Sequence, residues 1–239
     1  MLMQGRSDLK EIGLFRSMGD PMQIVSGPIH QPIVHFEAPP VVEVPREMER
    51  YLNWFSTSQG TMPALARAAT AHLYFESIHP FEDGNGRIGR ALAELSLSQS
   101  LGKPVLLALS KTITKRKKLY YDQLAAASRT MEVTGWIRYF ANLVLEAQDE
   151  ASKLVTFIIG KPRFFDIFRD RLNPRQEKAL ARMFEAGPAG FKGGLSAGNY
   201  AAITKASSAT TTRDLNELVK LGALNRTGEK RYARYFLPL

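Results

Sequence analysis

The sequence predicts a mostly α-helical protein with two domains, a helical domain that carries a β-hairpin flap and a winged helix-turn-helix domain after it. Apolar residues recur at helical spacing through most of residues 1–155. Residues 172–239 contain three short helical patterns followed by a hairpin pattern. A chain of 239 residues is long enough to bury a core in each domain.

The only predicted β element of the first domain lies at residues 22–36. A short helix is predicted before it, up to about Ser17. The pieces "MQIVSG" and "PIVHF" are rich in β-forming residues and flank a turn that contains Pro and Gly, which predicts a hairpin. The proline-rich "APPVVEVP" that follows is expected to be extended.

Helical periodicity dominates from Glu47 onward. The segments "LYYDQLAAASR" and "WIRYFANLVLEAQDEASKLVTFII" predict two further helices, and "KPRFFDIFRDRL" within 156–171 predicts a separate connecting helix. The predicted inner faces of the first three helices are Met48, Tyr51, Leu52 and Phe55; Leu65, Ala68, Ala69, His72 and Leu73; and Ile88, Ala91, Leu92 and Leu95.

The second domain has clear signals for where its elements begin and end. Asn173, Pro174 and Gln176 are the residues expected at a helix N-cap, its first turn and a capping box. "SAGNYAAIT" and "SSATTTRDLNELVKLGAL" predict two more helices, and a hairpin is expected around Thr227-Gly228. The predicted inner face of the third helix is Thr211, Leu215, Leu218 and Val219.

Composition excludes several classes of protein. The chain has no cysteine, so disulfides, thiolate nucleophiles and cysteine-ligated zinc are excluded. The N-terminus lacks the apolar core of a signal peptide, and the longest apolar runs are too short to span a bilayer. We therefore expect a soluble, cytoplasmic protein. The net charge of +9 lies mainly after Arg171, which suggests a polyanionic partner, although solubility alone also explains such an excess.

The segment "HPFEDGNGRIGR", from His79 to Arg90, concentrates polar groups between two predicted helices. Glycines at the start of the second helix let consecutive backbone N–H groups point at one anion. Arg87 and Arg90 are three residues apart, so they share a helix face from which guanidinium groups can bind phosphate oxygens. The segment therefore predicts a phosphate site.

Two further side chains of this segment suit chemistry on a bound nucleotide. Asp83 directly precedes the glycines, and a carboxylate beside a phosphate site is best explained by a magnesium ion between them. His79 has the ordinary pKa of a group that takes up a proton at neutral pH. Together these groups could support attack on a nucleotide phosphate.

The segment resembles the signature of the Fic family, His-Pro-Phe-x-(Asp/Glu)-Gly-Asn-Gly-Arg-x-x-Arg, and matches every fixed position. "AHLYFESIHPF", "LYYDQL", "WIRYF" and "FEAPP" are similar to the surrounding pattern of the longer bacterial Fic proteins, in which winged-helix tails also occur. The resemblance implies adenylylation, in which AMP moves from ATP to a hydroxyl of a target protein and pyrophosphate leaves.

The resemblance also implies a role for each residue of the motif. The flap from Met22 to Phe36 would bind an extended segment of the target protein by strand addition. The other implied roles are His79 as base, Phe81 packed inward, Asp83 on magnesium, Gly84, Asn85 and Gly86 around the α-phosphate, Arg87 and Arg90 on the outer phosphates, and Tyr120 and Tyr121 at the adenosine.

Other interpretations of these features remain open. The chain could be a DNA-binding regulator whose Fic domain senses nucleotide, or a Fic enzyme that removes AMP or transfers another phosphate-linked group, although the intact Gly86 favours adenylyl transfer. We expect His72 in the core, "KRKK" in a solvated loop, and Tyr120 and Tyr121 either in the core or at the pocket. Oligomerisation is open.

The winged helix could bind DNA or, equally, another protein. Its candidate DNA contacts lie on the third helix and near the wing. They are Thr210, Thr212, Arg213, Lys220, Arg226, Lys230, Arg231 and Arg234.

Many Fic proteins restrain themselves with a helix that carries (Ser/Thr)-x-x-x-Glu-(Gly/Asn), whose glutamate pairs with the residue that is Arg90 here. Only the pairs Ser7 with Glu11 and Ser128 with Glu132 have this spacing, and neither is followed by Gly or Asn. We therefore expect Arg90 to be unpaired within this chain. The opening "MLMQ" resembles the middle of a helix, which suggests a truncated gene and an inhibitory glutamate supplied from elsewhere.

Overall fold

A computed structural model describes residues 13–17, 23–26, 28, 30, 32–130 and 132–238. The protein is mostly helical and forms two compact units, Met1–Ala151 and Ser152–Leu239. Apolar side chains form a separate core in each unit. No helix among the described residues combines the length and the apolar character needed to cross a membrane.

The first unit begins with a strand pair and continues with helices. Its elements are β1 Gln23–Ser26, β2 Ile33–Glu37, α1 Val44–Thr57, α2 Ala64–Ile78, α3 Asn85–Leu101, α4 Leu109–Lys115 and α5 Lys117–Ala127. Helix α6, Thr134–Phe168, contributes its first part to this unit and its last part to the other. The second unit continues with α7 Pro174–Glu185, α8 Ala197–Thr204, α9 Ser208–Lys220, β3 Asn225–Thr227 and β4 Arg234–Phe236.

The predicted hairpin strands are confirmed as an antiparallel pair. Gln23 pairs with Glu37 and Ser26 with Ile33, with an irregularity between the two ends. Residues 13–17 are not helical, so the helix predicted up to Ser17 does not include them, and its earlier part lies outside the described residues.

Helices α2 and α3 approach each other closely because small residues line their contact. Ala68 and Ala71 of α2 and Ala93 of α3 are fully buried. A Cβ on Gly89 of α3 would lie 2.6 Å from Oε1 of Glu76, so this position is packed against α2.

Half of the inner face predicted for α3 is confirmed, since Ile88 and Leu92 pack against buried side chains of α1 and α2. Ala91 and Leu95 are exposed, whereas Gly89, Ala93, Ser96 and Leu97 are buried, because the contact with α2 selects small side chains rather than large apolar ones. Leu52 of α1 is likewise 55% exposed rather than buried.

A buried arginine ties the first three helices together. Arg67 of α2 has no exposed surface and donates hydrogen bonds to the Ser58 hydroxyl and the Ser96 carbonyl at 3.0 and 3.2 Å. Its other guanidinium nitrogen donates to the Phe55 carbonyl at 2.6 Å. Because the charge is fully hydrogen-bonded, it can be buried and fix α2 against its neighbours.

Two helix predictions need correction. The segment "KRKK" is not one loop, because α4 ends at Lys115 and α5 begins at Lys117. The separate connecting helix predicted at 156–171 is the last part of α6, which continues through Pro162 and is followed by a 3₁₀ turn, Arg169–Arg171. Proline removes one hydrogen bond of a helix and its ring crowds the carbonyl four residues earlier, yet α6 continues on both sides of Pro162.

The second unit is organised around a buried carboxylate. The predicted cap of α7 is confirmed, since the Asn173 side chain accepts hydrogen bonds from α7 and Gln176 completes the capping box. Asp214 of α9, on the inner face of that helix, accepts hydrogen bonds from Arg175 of α7 at 2.9 Å and from the Tyr200 hydroxyl of α8 at 3.0 Å. These bonds hold three helices together, and β3 pairs with β4 beyond them.

Candidate functional site

The loop between α2 and α3 is held in a defined conformation by its own residues. Helix α2 ends at Ile78, and the next residue, His79, has a left-handed φ of 49°. Helix α3 begins after Gly84, whose φ is 92°. The side chain of Asn85 bonds back to Phe81: its amide donates to the Phe81 carbonyl at 2.7 Å, and its oxygen accepts from the Phe81 N–H at 2.9 Å. Asn85 therefore shapes the loop with its side chain.

The start of α3 is suited to bind an anion. Since α3 begins at Asn85, the N–H groups of Asn85 and Gly86 have no acceptor within the helix. The dipole of this 17-residue helix adds positive potential at the same point. Asp83 accepts a hydrogen bond from the Gly84 N–H at 2.6 Å, which leaves the next N–H groups for an anion.

The two arginines of the motif have different environments. The Arg90 side chain folds over Gly86, since a Cβ at that position would lie 3.1 Å from its Nη1. Within the described part of the chain, the buried Nε of Arg90 has no hydrogen-bond partner. Arg87 is exposed, and its Nη2 lies 3.4 Å from Oδ2 of Asp83. Arg90 thus covers the helix start, and Arg87 lies at the rim beside Asp83.

His79 is neutral at neutral pH. Burial, together with the smaller effect of the nearby Arg16 charge, lowers the pKa of its imidazole to about 4, although the Asp83 charge acts in the opposite direction. Its Nδ1 lies 3.9 Å from Oε2 of Glu76, which is beyond hydrogen-bonding distance. A neutral imidazole can accept a proton, as a general base must.

A buried polar cluster lies behind the loop. Burial raises the pKa of Glu76 to about 7 against the opposing charge of Arg90. His72 is buried, as expected, and its Nε2 lies 2.8 Å from the Tyr120 hydroxyl. Burial also lowers the pKa of His72 to about 4, so this ring is a neutral core residue.

The two tyrosines of α5 differ in exposure. Tyr120 is only 3% exposed and belongs to the core, so its side chain supports α2 rather than an open pocket. Tyr121 is partly buried, meets the Tyr120 ring edge-on at 5.2 Å, and has Lys117 5.8 Å above its ring. Arg90 influences the pKa of both hydroxyls, which places α5 beside the loop.

Sequence patterns did not reveal Arg16. Its backbone N–H donates to the Pro80 carbonyl and its Nε to the His79 carbonyl, both at 2.9 Å, and a further nitrogen donates to the Pro39 carbonyl. Its side chain contacts backbone carbonyls far away in sequence, so no local spacing or motif predicts them.

Asp83 is the motif carboxylate that directly precedes Gly84 at the helix start. Its Oδ1 bonds to Gly84 and its Oδ2 lies near Arg87. No group of three or more acidic or histidine side chains among the described residues could hold a metal ion alone. Magnesium usually binds one or two carboxylates together with substrate phosphates, so a single aspartate beside a phosphate site fits this ion.

Of the two candidate inhibitory glutamates, only Glu132 lies in the described part of the chain, and its hydrogen bond there is with Thr134, not Arg90. Glu132 is exposed, and its Oε1 accepts a hydrogen bond from the Thr134 N–H at 2.9 Å at the start of α6. Glu11 lies outside the described residues.

A helix–loop–helix site with an anion-binding helix start, a neutral histidine and a covering arginine defines a candidate nucleotide-processing protein. Residues 1–97 match the model of the Fic/DOC family, so the chain contains a Fic/DOC family domain there. The matching relatives include a probable protein adenylyltransferase of Aquifex aeolicus, 37% identical over 65 residues. Two others, named protein adenylyltransferases of Culex quinquefasciatus and Caenorhabditis elegans, are 31% and 34% identical over 96 and 101 residues.

These matches cover only part of each protein. They span 27%, 40% and 42% of this chain and 20%, 18% and 18% of the three relatives. A crystal structure of a Fic family protein from Desulfovibrio desulfuricans G20 aligns with 99% of this chain and 65% of its own, with a TM-score of 0.52 and 24% identity. That likeness shows the fold.

Proposed function

We propose that the protein is a protein adenylyltransferase that transfers AMP from ATP to a hydroxyl side chain of a target protein. The observation that carries this proposal is the neutral His79 beside the anion-binding start of α3, with Arg90 folded over it. The family domain and the names of its relatives support the same reaction.

ATP would bind along the start of α3. The free N–H groups of Asn85 and Gly86 suit the α-phosphate region, and the guanidinium groups of Arg90 and Arg87 suit the outer phosphates. Tyr121, which is partly exposed on α5, is the better candidate of the two tyrosines for contact with adenosine.

The transfer needs one base. The target hydroxyl attacks the α-phosphorus, its proton passes to the imidazole of His79, and a P–O bond to the α-phosphorus forms. The bond between the α-phosphorus and the bridging oxygen breaks, and pyrophosphate leaves. Bound phosphates place negative charge beside His79, which stabilises the imidazolium and makes the ring a stronger base than in the free protein.

Magnesium would be held by Asp83 together with the phosphates. When bound, this ion neutralises phosphate charge and that of the departing pyrophosphate.

The target would dock on the strand pair β1–β2. An extended segment of the target can add to the edge of this strand pair through backbone hydrogen bonds. Because the backbone makes these bonds, targets with different side chains could dock in the same way. The pair leads through Ala38 and Pro39 to α1, and Pro39 is bonded to the histidine loop through Arg16. Docking there would bring a target hydroxyl towards His79.

Labelled ATP tests this proposal. The purified chain is incubated with labelled ATP, magnesium and a cell lysate, and labelled proteins are identified by mass spectrometry. The His79→Ala variant should still bind ATP but lose transfer by about 10²–10⁴-fold. Modification of the target by a phosphate-linked group other than AMP would favour transfer of that group. Loss of AMP from an already modified target, without any transfer, would favour an enzyme that removes AMP.

We also propose that the second unit is a winged helix-turn-helix that binds DNA. Its three helices are followed by the β3–β4 pair, and Leu195 forms a single antiparallel bridge with Tyr235 of β4. The exposed basic side chains of this hairpin and of α9 support an anionic partner. They are Arg213, Lys220, Arg226, Lys230 and Arg231.

Fluorescence anisotropy with duplex DNA tests that second proposal on the full chain. Binding should weaken as salt rises, and Lys230→Ala with Arg231→Ala should reduce both the affinity and the salt dependence. Lys178→Ala, an exposed lysine of α7, is the matched control. Absent or salt-independent binding would favour a protein partner.

A further inference from the structure

Arg16 connects the loop that carries the proposed base, His79, to the segment that follows the β1–β2 pair, on which the target is proposed to dock. Its Nε donates to the carbonyl of His79 at 2.9 Å, and another guanidinium nitrogen donates to the carbonyl of Pro39. Its backbone N–H donates to the Pro80 carbonyl at 2.9 Å, so main chain and side chain both bind the loop. The residue is only 6% exposed.

The bonded carbonyls are at sensitive positions. His79 has a left-handed backbone with a φ of 49°, which is unfavourable for a residue other than glycine, so it needs contacts that hold it. Pro39 follows shortly after β2 ends at Glu37. The neighbouring Phe15 ring lies 5.7 Å from the Phe81 ring and adds an apolar contact to the same loop.

We propose that Arg16 is a positioning residue for the transfer reaction: its guanidinium fixes the His79 carbonyl to the Pro39 carbonyl, so the base keeps one position relative to the β1–β2 pair. This inference rests on the proposed adenylyl transfer. Arg16 acts through His79, since all its recorded hydrogen bonds are to backbone carbonyls among the described residues and none to the anion-binding start of α3.

The charge of Arg16 provides a readout that a purely structural contact would not change. Two charged side chains influence the pKa of His79: Arg16 from the segment 13–17 lowers it and Asp83 from the loop itself raises it. The carboxyl group of Glu76 from α2 lies 3.9 Å from Nδ1 of the ring. Burial is the main cause of the lowered pKa of His79, and Arg16 lowers it further. Removing the Arg16 charge should therefore raise the pKa of His79, whereas a lysine should keep it low.

Arg16→Gln, Arg16→Lys and the control Arg50→Gln test the proposal in the full chain. Arg50 is an exposed arginine of α1 that pairs with Glu47. Transfer of labelled AMP gives kcat and the KM for ATP, and NMR titration gives the pKa of His79. In Arg16→Gln we expect kcat to fall on the order of 100-fold, the KM for ATP to stay within about twofold, and the pKa of His79 to rise.

Arg16→Lys separates charge from geometry, because an ammonium group lacks the planar fork that reaches two carbonyls. We expect a low pKa of His79 and a kcat at least about tenfold below wild type. This variant also decides the question if Arg16→Gln fails to fold. Wild-type kcat in a folded Arg16→Lys or Arg16→Gln protein, or equal losses in kcat and ATP binding, would overturn the proposal. A wild-type chain that transfers no AMP would instead overturn the proposed function on which it rests.

Discussion

Asn85 and Phe81 exchange two hydrogen bonds across the loop that joins α2 to α3, at 2.7 and 2.9 Å. Asn85 is only 2% exposed, so neither bond is easily replaced by water. The side chain of Asn85 therefore holds the loop conformation, and its backbone N–H is left for an anion at the helix start.

Asn85→Asp should destabilise the first unit. An aspartate can accept from the Phe81 N–H but cannot donate to the Phe81 carbonyl, and it places a buried charge beside that carbonyl. We expect a loss of about 1–3 kcal/mol in urea unfolding, together with weaker ATP binding. Asn53→Asp, on the exposed side of α1, is the control and should change stability by less than about 0.5 kcal/mol. Equal stability of the two variants would show that the pair does not hold the loop.

The motif residues could be predicted as one site because they are contiguous. His79, Asp83 and the helix start lie within a few residues, so a loop between two helices must keep them together. The role of Asn85 differs in part from the prediction. Its sequence position predicted a contact with the phosphate, but its side chain is hydrogen-bonded to Phe81. Only the backbone geometry of the loop reveals that engagement.

Arg16 and Glu76 could not be predicted, because their environments depend on contacts distant in sequence. Arg16 meets His79 across 63 positions, and the helix predicted for the segment that carries it gave no sign of this contact. The two wrong positions in the predicted inner face of α3, Ala91 and Leu95, have a related cause. Hydrophobic periodicity finds large apolar side chains, but the α2–α3 contact is made by Gly89 and Ala93.

Glu76→Gln should change how stability depends on pH. Burial raises the pKa of Glu76 from 4.5 to about 7, so between these values the folded state keeps a proton that the unfolded chain releases. The free energy of unfolding therefore falls as pH rises through this range. Gln resembles the protonated acid, so the variant should match wild type near pH 5 and exceed it at pH 8 by up to about 3 kcal/mol.

Chemical unfolding at the two pH values measures this difference. His72 and His79 have the opposite dependence, since burial lowers the pKa of each to about 4 and stability is lost as pH falls below 6.5. Both histidines are present in both proteins, so the difference isolates Glu76. The control is Glu49→Gln on the exposed face of α1. If Glu76→Gln is no more stable than wild type at pH 8, the Arg90 charge fully offsets the cost of burying ionised Glu76.

Asp214→Asn should destabilise the second unit. Burial alone would raise the pKa of Asp214, but hydrogen bonds from Arg175 and Tyr200 outweigh burial and lower it. Loss of the charge weakens both bonds, and we expect about 1.5–3 kcal/mol less protection of α7–α9 amides in hydrogen exchange. The control Asp166→Asn removes an exposed pair with Arg169 and should cost less than about 1 kcal/mol. Equal protection in the two variants would contradict the role of Asp214.

Self-modification tests whether Arg90 is restrained. Its Nε has no hydrogen-bond partner among the described residues, and Glu132 is bonded at the start of α6 instead. Glu76 and Glu94 are the acidic neighbours whose pKa its charge influences, and both belong to the helices that build the site. Arg90 is therefore placed to bind outer phosphates without an activating mutation, and we expect the chain to adenylylate itself.

The measurement compares the incorporation of labelled AMP in the wild-type chain with that in Glu11→Gly and Glu132→Gly. Neither substitution should raise the rate by more than about twofold, because Glu132 caps α6 and Glu11 lacks the following Gly or Asn. Arg90→Ala should lose incorporation, since it removes the guanidinium that covers the helix start. A silent wild-type chain that one glycine substitution switches on would show that the inhibitory glutamate is present in this chain. Inhibition that appears only when a second protein is added would place that glutamate in a partner.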